Sequence, residues 1–244
     1  MFNFNQNQNN ENTYVNPNTG AIAVPKTFIA NVFSWMAIAL GITAFFAYTF
    51  SKSDAFFNSM FTATGMSPLG WIIMLSPFAI VMAMSFGANK FSAGTLTLLF
   101  IAYAFLMGLS LSFIFWAYTA GSIFITFAVT AGTFAVMAFA GYTTKTDLSK
   151  MGAILSMALI GIIIAMIVNF FMHSQQLDYI VSILGVLIFT GLTAWDVQKL
   201  KRIGAQAYEG SETTRKLVIM GALTLYLDFI NLFLFLLRFL GNRK

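Results

Sequence analysis

The sequence predicts an all-α integral membrane protein: a seven-helix bundle over residues 27–244, preceded by a polar tail at 1–26. Three observations carry this. Only 9% of the 244 residues are charged and 59% are hydrophobic, against roughly 25% charged in an ordinary soluble domain. Apolar runs of about 20 residues, long enough to cross ~30 Å of hydrocarbon, follow one another with short gaps. The runs are continuously apolar rather than alternating, which argues against a closed barrel.

The tail contains FNFNQNQNNENTYVNPNTG, an Asn-rich stretch with too little apolar surface to order itself, and reads as disordered. It lacks the basic start and short apolar core of a cleavable signal, so insertion falls to the first span. The seven expected spans are Thr27–Phe50, Leu69–Phe86, Ala93–Tyr118, Ser122–Tyr142, Lys150–Met172, Asp178–Lys199 or beyond, and Arg215–Leu240. Pro77 in the second removes a backbone donor and predicts a kink. Small residues recur in the runs, as at Gly108, Ser110 and Ser112 and at Gly185, Gly191 and Ala194. They specify close helix packing rather than a chemistry. No convincing internal repeat is present, which weakens an inverted-repeat transporter.

The net charge of +5 does not indicate nucleic acid, because the basic residues sit in the gaps between apolar runs and act as topology signals. With the N-terminus in the cytoplasm, the inner gaps hold Lys26, Lys90, Lys145, Lys150, Lys199, Lys201, Arg202, Arg215 and Lys216, and the outer ones Lys52, Arg238, Arg243 and Lys244. That excess favours an inner-membrane protein with its N-terminus inside. The basic C-terminus conflicts with it only if the last helix crosses fully. The chain has no cysteine, which excludes disulfides, thiolate nucleophiles and cysteine metal sites. No cofactor is expected.

Two acids lie deep in apolar runs: Asp196 in FTGLTAWDVQKLKRIG and Asp228 in LTLYLDFINLFLFLLRFL. A carboxylate at the centre of a bilayer helix costs at least ~2.5–3.5 kcal/mol on insertion scales and marks a functional site by default. Asp54, Asp147, Asp178, Glu11, Glu209 and Glu212 read instead as surface charges or caps, and His173 as interfacial. The turn signal Tyr208-Glu209-Gly210-Ser211-Glu212 places the two deep acids level. If the sixth span continues through KLKRIGAQAY and the seventh starts with Ser211 as its N-cap, each acid is about 16 residues, or ~24 Å, from the hairpin tip. Lys199, Lys201 and Arg202 would then snorkel along the hairpin.

Two carboxyls at one level can share a proton, because like charges a few ångströms apart cannot both stay ionised cheaply. Such a pair would be a proton switch. The alternative is purely structural: Thr224 and Asn231, one turn either side of Asp228, could satisfy it and lock the bundle. Arg238 is expected to snorkel to the interface, or else to pair with an acid.

The segments LMGLSLSFIFWAYTAGSIFITFAVTAGTFAVMAFAGYTTKTDLSKMGAIL, TAWDVQKLKRIG and GALTLYLDFINLFLFLLRFLG resemble the bacterial branch of the Bax inhibitor-1 family, over about residues 27–241. GYTTKTDLSKMG and LYLDFINLF are the most specific of these. The resemblance implies a central last helix wrapped by the other six and a proton-sensitive calcium leak, with Asp196 and Asp228 as its sensor and ion path. In some members an arginine at the inner end of the second span latches onto the first of these aspartates; here that end reads SFGANK and its base is Lys90. Calcium wants six to eight oxygen ligands, so Asp196 and Asp228 would bind it weakly and transiently. The resemblance also allows a non-conducting regulator that binds a membrane protease or another membrane-protein partner, with the Asn-rich tail as docking segment.

Enzymatic readings are not favoured. An intramembrane aspartyl protease also needs two aspartates, but Leu225-Tyr226-Leu227-Asp228 lacks the glycines of GxGD and no PAL segment is present. A rhomboid-like serine protease would need GxSG, whereas the chain reads Gly108-Leu109-Ser110-Leu111.

Overall fold

The computed structural model describes residues 26–62, 65–207 and 210–244. Its helices are α1 (Lys26–Ser51), α2 (Asp54–Met60), α3 (Pro68–Gly87), α4 (Ala93–Ala117), α5 (Ala120–Thr143), α6 (Ser149–Met172), α7 (Gln175–Gly204) and α8 (Glu212–Leu240). All but α2 are long and apolar enough to cross a membrane, and the chain is an all-α membrane protein. Most of the expected tail, residues 1–25, lies outside the described residues.

Local signals set the boundaries. Ser67, Ser92, Thr119, Ser174 and Ser211 each occupy an N-cap and accept a backbone N–H from the first turn of α3, α4, α5, α7 and α8 respectively, satisfying a donor the helix leaves unpaired. Ser211 thus caps α8 as the turn signal predicts. At the other side of that hairpin α7 ends at Gly204, short of the expected extension through Tyr208. Helix α3 runs through Pro77 without interruption.

One element escapes the sequence reading. DAFFNSM forms the short helix α2, capped by Ser53, and leads into a two-stranded hairpin pairing Phe61 with Met66. Seven residues are too few to span. Their order comes instead from aromatic contacts, with Phe57 edge-on to Trp116 at 4.6 Å and the Trp116 indole N–H donating to the Ser51 carbonyl at 3.0 Å.

Helix α8 is central. In its most apolar window 67% of residues are buried, against 56% in α7 and no more than 39% in any other span. Helices α1, α4, α5 and α7 pack directly on it, while α3 lies on α4 and α6 on α7. The implied wrapping by six helices is therefore four inner and two outer ones. Ile154, Ile160, Ile164, Ile167 and Phe171 of α6 are exposed, as suits a helix whose outer face meets lipid tails.

The ends of the bundle are fixed by contacts. Phe28 at the start of α1 packs on Gly204 at the end of α7, so the N-terminal end of the bundle is also the α7–α8 hairpin end. At the opposite end Asn242 accepts from the Thr119 N–H at 3.2 Å and Lys244 N–H donates to Ala117 at 3.0 Å. Helix α8 therefore crosses the bundle completely.

Candidate functional site: a buried aspartate pair between α7 and α8

Asp196 and Asp228 belong to antiparallel neighbours. Their side chains come within hydrogen-bonding reach of each other, and both are almost wholly enclosed, at 6% and 5% exposure. The two acids meet, as the sequence reading expects, although α7 ends at Gly204 rather than continuing through Tyr208 as that reading requires. Among the described residues, Oδ2 of Asp228 is the buried side-chain oxygen with no hydrogen-bond partner. Two ionised carboxylates offer only acceptors to each other, so their contact becomes a hydrogen bond only when one of them carries a proton.

The neighbours expected to support Asp228 do other work. Thr224 donates to the Met220 carbonyl at 3.0 Å and the Asn231 amide to Leu227 at 2.8 Å, each bonding back to its own helix. Lys90 is exposed in the turn after α3 and, among the described residues, forms no ion pair with Asp196. The basic residue nearest Asp196 in the chain is Lys199, one turn beyond it, with its Nζ 5.0 Å from the Trp195 ring. Arg238 does not snorkel free: it bonds Asp178 at 3.2 Å, and Arg243 approaches the other oxygen at 3.7 Å. Pairing at the far end of α7 accounts for the basic C-terminus. His173 caps α6 in a left-handed conformation, φ 52°, at the same end.

Close packing holds the acid level. A Cβ on Gly141 of α5 would collide with the Ala194 backbone, so α5 and α7 touch main chain to main chain two residues before Asp196. Gly108, Gly185 and Gly191 likewise sit against Thr43 and Phe46, Phe235 and Leu155, as the small-residue pattern predicts.

Two further polar clusters flank the pair, and the sequence alone did not mark them. Thr43 of α1 donates to the Ala104 carbonyl of α4 at 2.8 Å and lies 2.7 Å from the Tyr226 hydroxyl. With its single proton on Ala104, Thr43 accepts from Tyr226. Toward the hairpin end, the last turns of α7 hold the α5–α6 loop. Gln198 donates to Thr146 O and accepts from Leu148 N–H, Lys201 donates to Tyr142 O, and Arg202 reaches Asp147, Ser149 and Gln198. The Arg202 guanidinium, with help from Ser149, holds the Asp147 carboxyl well below the usual range. The segment GYTTKTDLSKMG is thereby tied to the turn that carries Asp196.

A cavity of about 450 Å³ opens at the hairpin end between α1, α4 and α8, lined by Thr27, Trp35, Thr97 and Arg215 among others. Neither aspartate lines it.

Residues 25–244 match the family described as "Inhibitor of apoptosis-promoting Bax1". The chain is 48% identical over 233 residues to the inner membrane protein YbhL of Escherichia coli K12, covering 93% of this chain and 98% of that protein. It is also 48% identical over 223 residues to an uncharacterised protein of Borreliella burgdorferi, covering 91% and 95%. An uncharacterised membrane protein of Streptococcus pyogenes is 35% identical over 215 residues, covering 88% and 92%.

Proposed function

Because the chain belongs to the Bax inhibitor-1 family, we propose that it is a proton-sensitive calcium leak of the inner membrane, gated by the protonation of Asp196 and Asp228. The observation that carries this is the meeting of the two carboxyls, both buried, with Oδ2 of Asp228 lacking a donor. With one shared proton the pair holds one charge and one hydrogen bond. Without it, two negative charges face each other in a poorly screened interior, where repulsion is far stronger than in water. That repulsion acts between α7 and the central helix α8, and moving α8 disturbs every helix packed on it.

Calcium is the transported ion in this reading, not a resident metal. Among the described residues no three His, Cys, Asp or Glu side chains gather where they could hold an ion, and two aspartates supply only part of a six- to eight-oxygen shell. Such a site binds briefly and releases. The chemistry is non-enzymatic, and the excess of basic residues at the hairpin end supports a cytoplasmic N-terminus.

Calcium flux into liposomes containing the full chain, measured at several pH values beside Asp228→Asn, tests the reading. The parent should show a pH-dependent leak and the variant a flattened one. Identical pH profiles would defeat it.

A further inference from the structure

Four contacts set the register of α7 against α8. From the C-terminal end inward they are Asp178 with Arg238, Gly185 with the Phe235 ring, Phe189 stacked on Phe235, and Asp196 with Asp228. On α7 the residues Asp178, Ser182, Gly185, Phe189, Thr193 and Asp196 recur at three- and four-residue spacings, and on α8 so do Asp228, Asn231, Phe235 and Arg238. Each set therefore lies along one face of its helix. The seam between the two central helices is polar at both ends and closed by aromatic rings between.

The closure is well built. The rings of Phe189 and Phe235 stack at 5.8 Å and 27°, and both residues are buried, at 5% and 6% exposure. Ile162, Val181, Ile188, Leu192 and Leu232 belong to the same apolar cluster. Phe235 occupies space that any side chain at position 185 would fill. On either side the buried hydroxyls of Ser182 and Thr193 donate to carbonyls of their own helix, at 2.7 Å each. Their oxygens offer the seam lone pairs and no proton, which suits a cation rather than an anion.

We infer that the α7–α8 seam is the ion path and that the stacked Phe189–Phe235 pair is its hydrophobic gate, about 10 Å from the aspartate pair by helix rise. An apolar constriction blocks ions by excluding water, and so can gate without plugging. Separating α7 from α8 at the acid level unstacks the rings above it. The aspartates sense and the phenylalanines seal. The inference rests on the leak reading and adds the barrier to it.

The test uses the full chain in liposomes with a calcium indicator inside. Phe189→Ser and Phe235→Asn should each raise the leak about tenfold or more at the pH where the parent is quietest, whereas Phe189→Leu and Phe235→Leu, which keep the constriction apolar, should stay close to the parent. A pH-dependent parent whose polar variants leak no more than it does overturns the gate and leaves the aspartate reading standing. A parent and variants that are all silent overturn both.

The absence of native cysteine allows a second measurement that leaves the rings untouched. At the pH of highest flux, with the rings parted, Thr193→Cys and Ser182→Cys should both react with a membrane-impermeant thiol reagent, and at the quietest pH both, buried in the closed seam, should be protected. Equal reaction of either variant at the two pH values overturns the gate.

Discussion

Arg202 bonds Asp147 at 2.6 Å and so ties the hairpin end of α7 to the α5–α6 loop. Both side chains are substantially exposed, at 50% and 68%, and solvent screening leaves such pairs little stabilising effect at neutral pH. The pair is instead a pH-dependent tether. Because Arg202 lowers the Asp147 pKa in the folded protein, its contribution is complete above the ordinary carboxylate value of about 3.9 and is lost as pH falls through the depressed folded value. Asp147→Asn should therefore lower the melting temperature in detergent slightly at neutral pH, with the difference from the parent vanishing in strong acid and shrinking in high salt.

Asp228→Asn should stabilise the fold while flattening the proton response. The amide provides the donor that two ionised carboxylates lack, and a hydrogen bond to a charged group contributes about 1.5–3 kcal/mol. A thermal melt at neutral pH should shift upward relative to the parent. Asp228→Ala supplies no donor to Asp196 and removes buried contacts, so it should shift downward. An Asn variant less stable than the Ala variant would contradict a donor-starved pair.

Gly141→Ala reverses the usual preference of helices. In an exposed helix interior alanine is better than glycine by roughly 0.8–1 kcal/mol, but here the new methyl meets the Ala194 backbone. Overpacking of this kind costs about 1–3 kcal/mol, so the variant should melt lower. Gly132→Ala, on the same helix with nothing within 4 Å, is the control and should be neutral or mildly stabilising.

Much of this was legible in the sequence, for reasons specific to membranes. Each span must satisfy its own backbone within hydrocarbon, so apolar length alone located seven helices. The turn signal at residues 208–212 pointed to the meeting of Asp196 and Asp228, but the symmetric hairpin behind that reading is not what forms: α7 ends at Gly204, well short of the expected tip, whereas α8 starts at Glu212, so helical rise alone does not make the acids level. What stayed hidden depends on rotation about helix axes, which composition does not record. Thr224 and Asn231 lie at suitable spacings from Asp228, yet each bonds back to its own helix. Arg238 is ten residues from Asp228, but its partner is Asp178 across the seam. Asp147 looked like an ordinary loop charge because its role depends on Arg202, 55 positions away in the chain. Helix α2 carried no signal of span length and is held by Trp116.

Thr43 and Tyr226 make the last prediction, since both are buried and their bonds are unequal. Thr43→Val removes a second donor from Ala104 O, which keeps its N–H within α4, and strands the buried Tyr226 hydroxyl without its acceptor. An orphaned buried hydroxyl costs about 1–3 kcal/mol. Tyr226→Phe removes only the phenolic hydroxyl and leaves Thr43 bonded to Ala104, so it should be the milder change. Thermal melts of the two variants should rank Thr43→Val below Tyr226→Phe. With both present, the double variant should lose less than the sum of the singles, because the Tyr226 hydroxyl that Thr43→Val leaves stranded is gone.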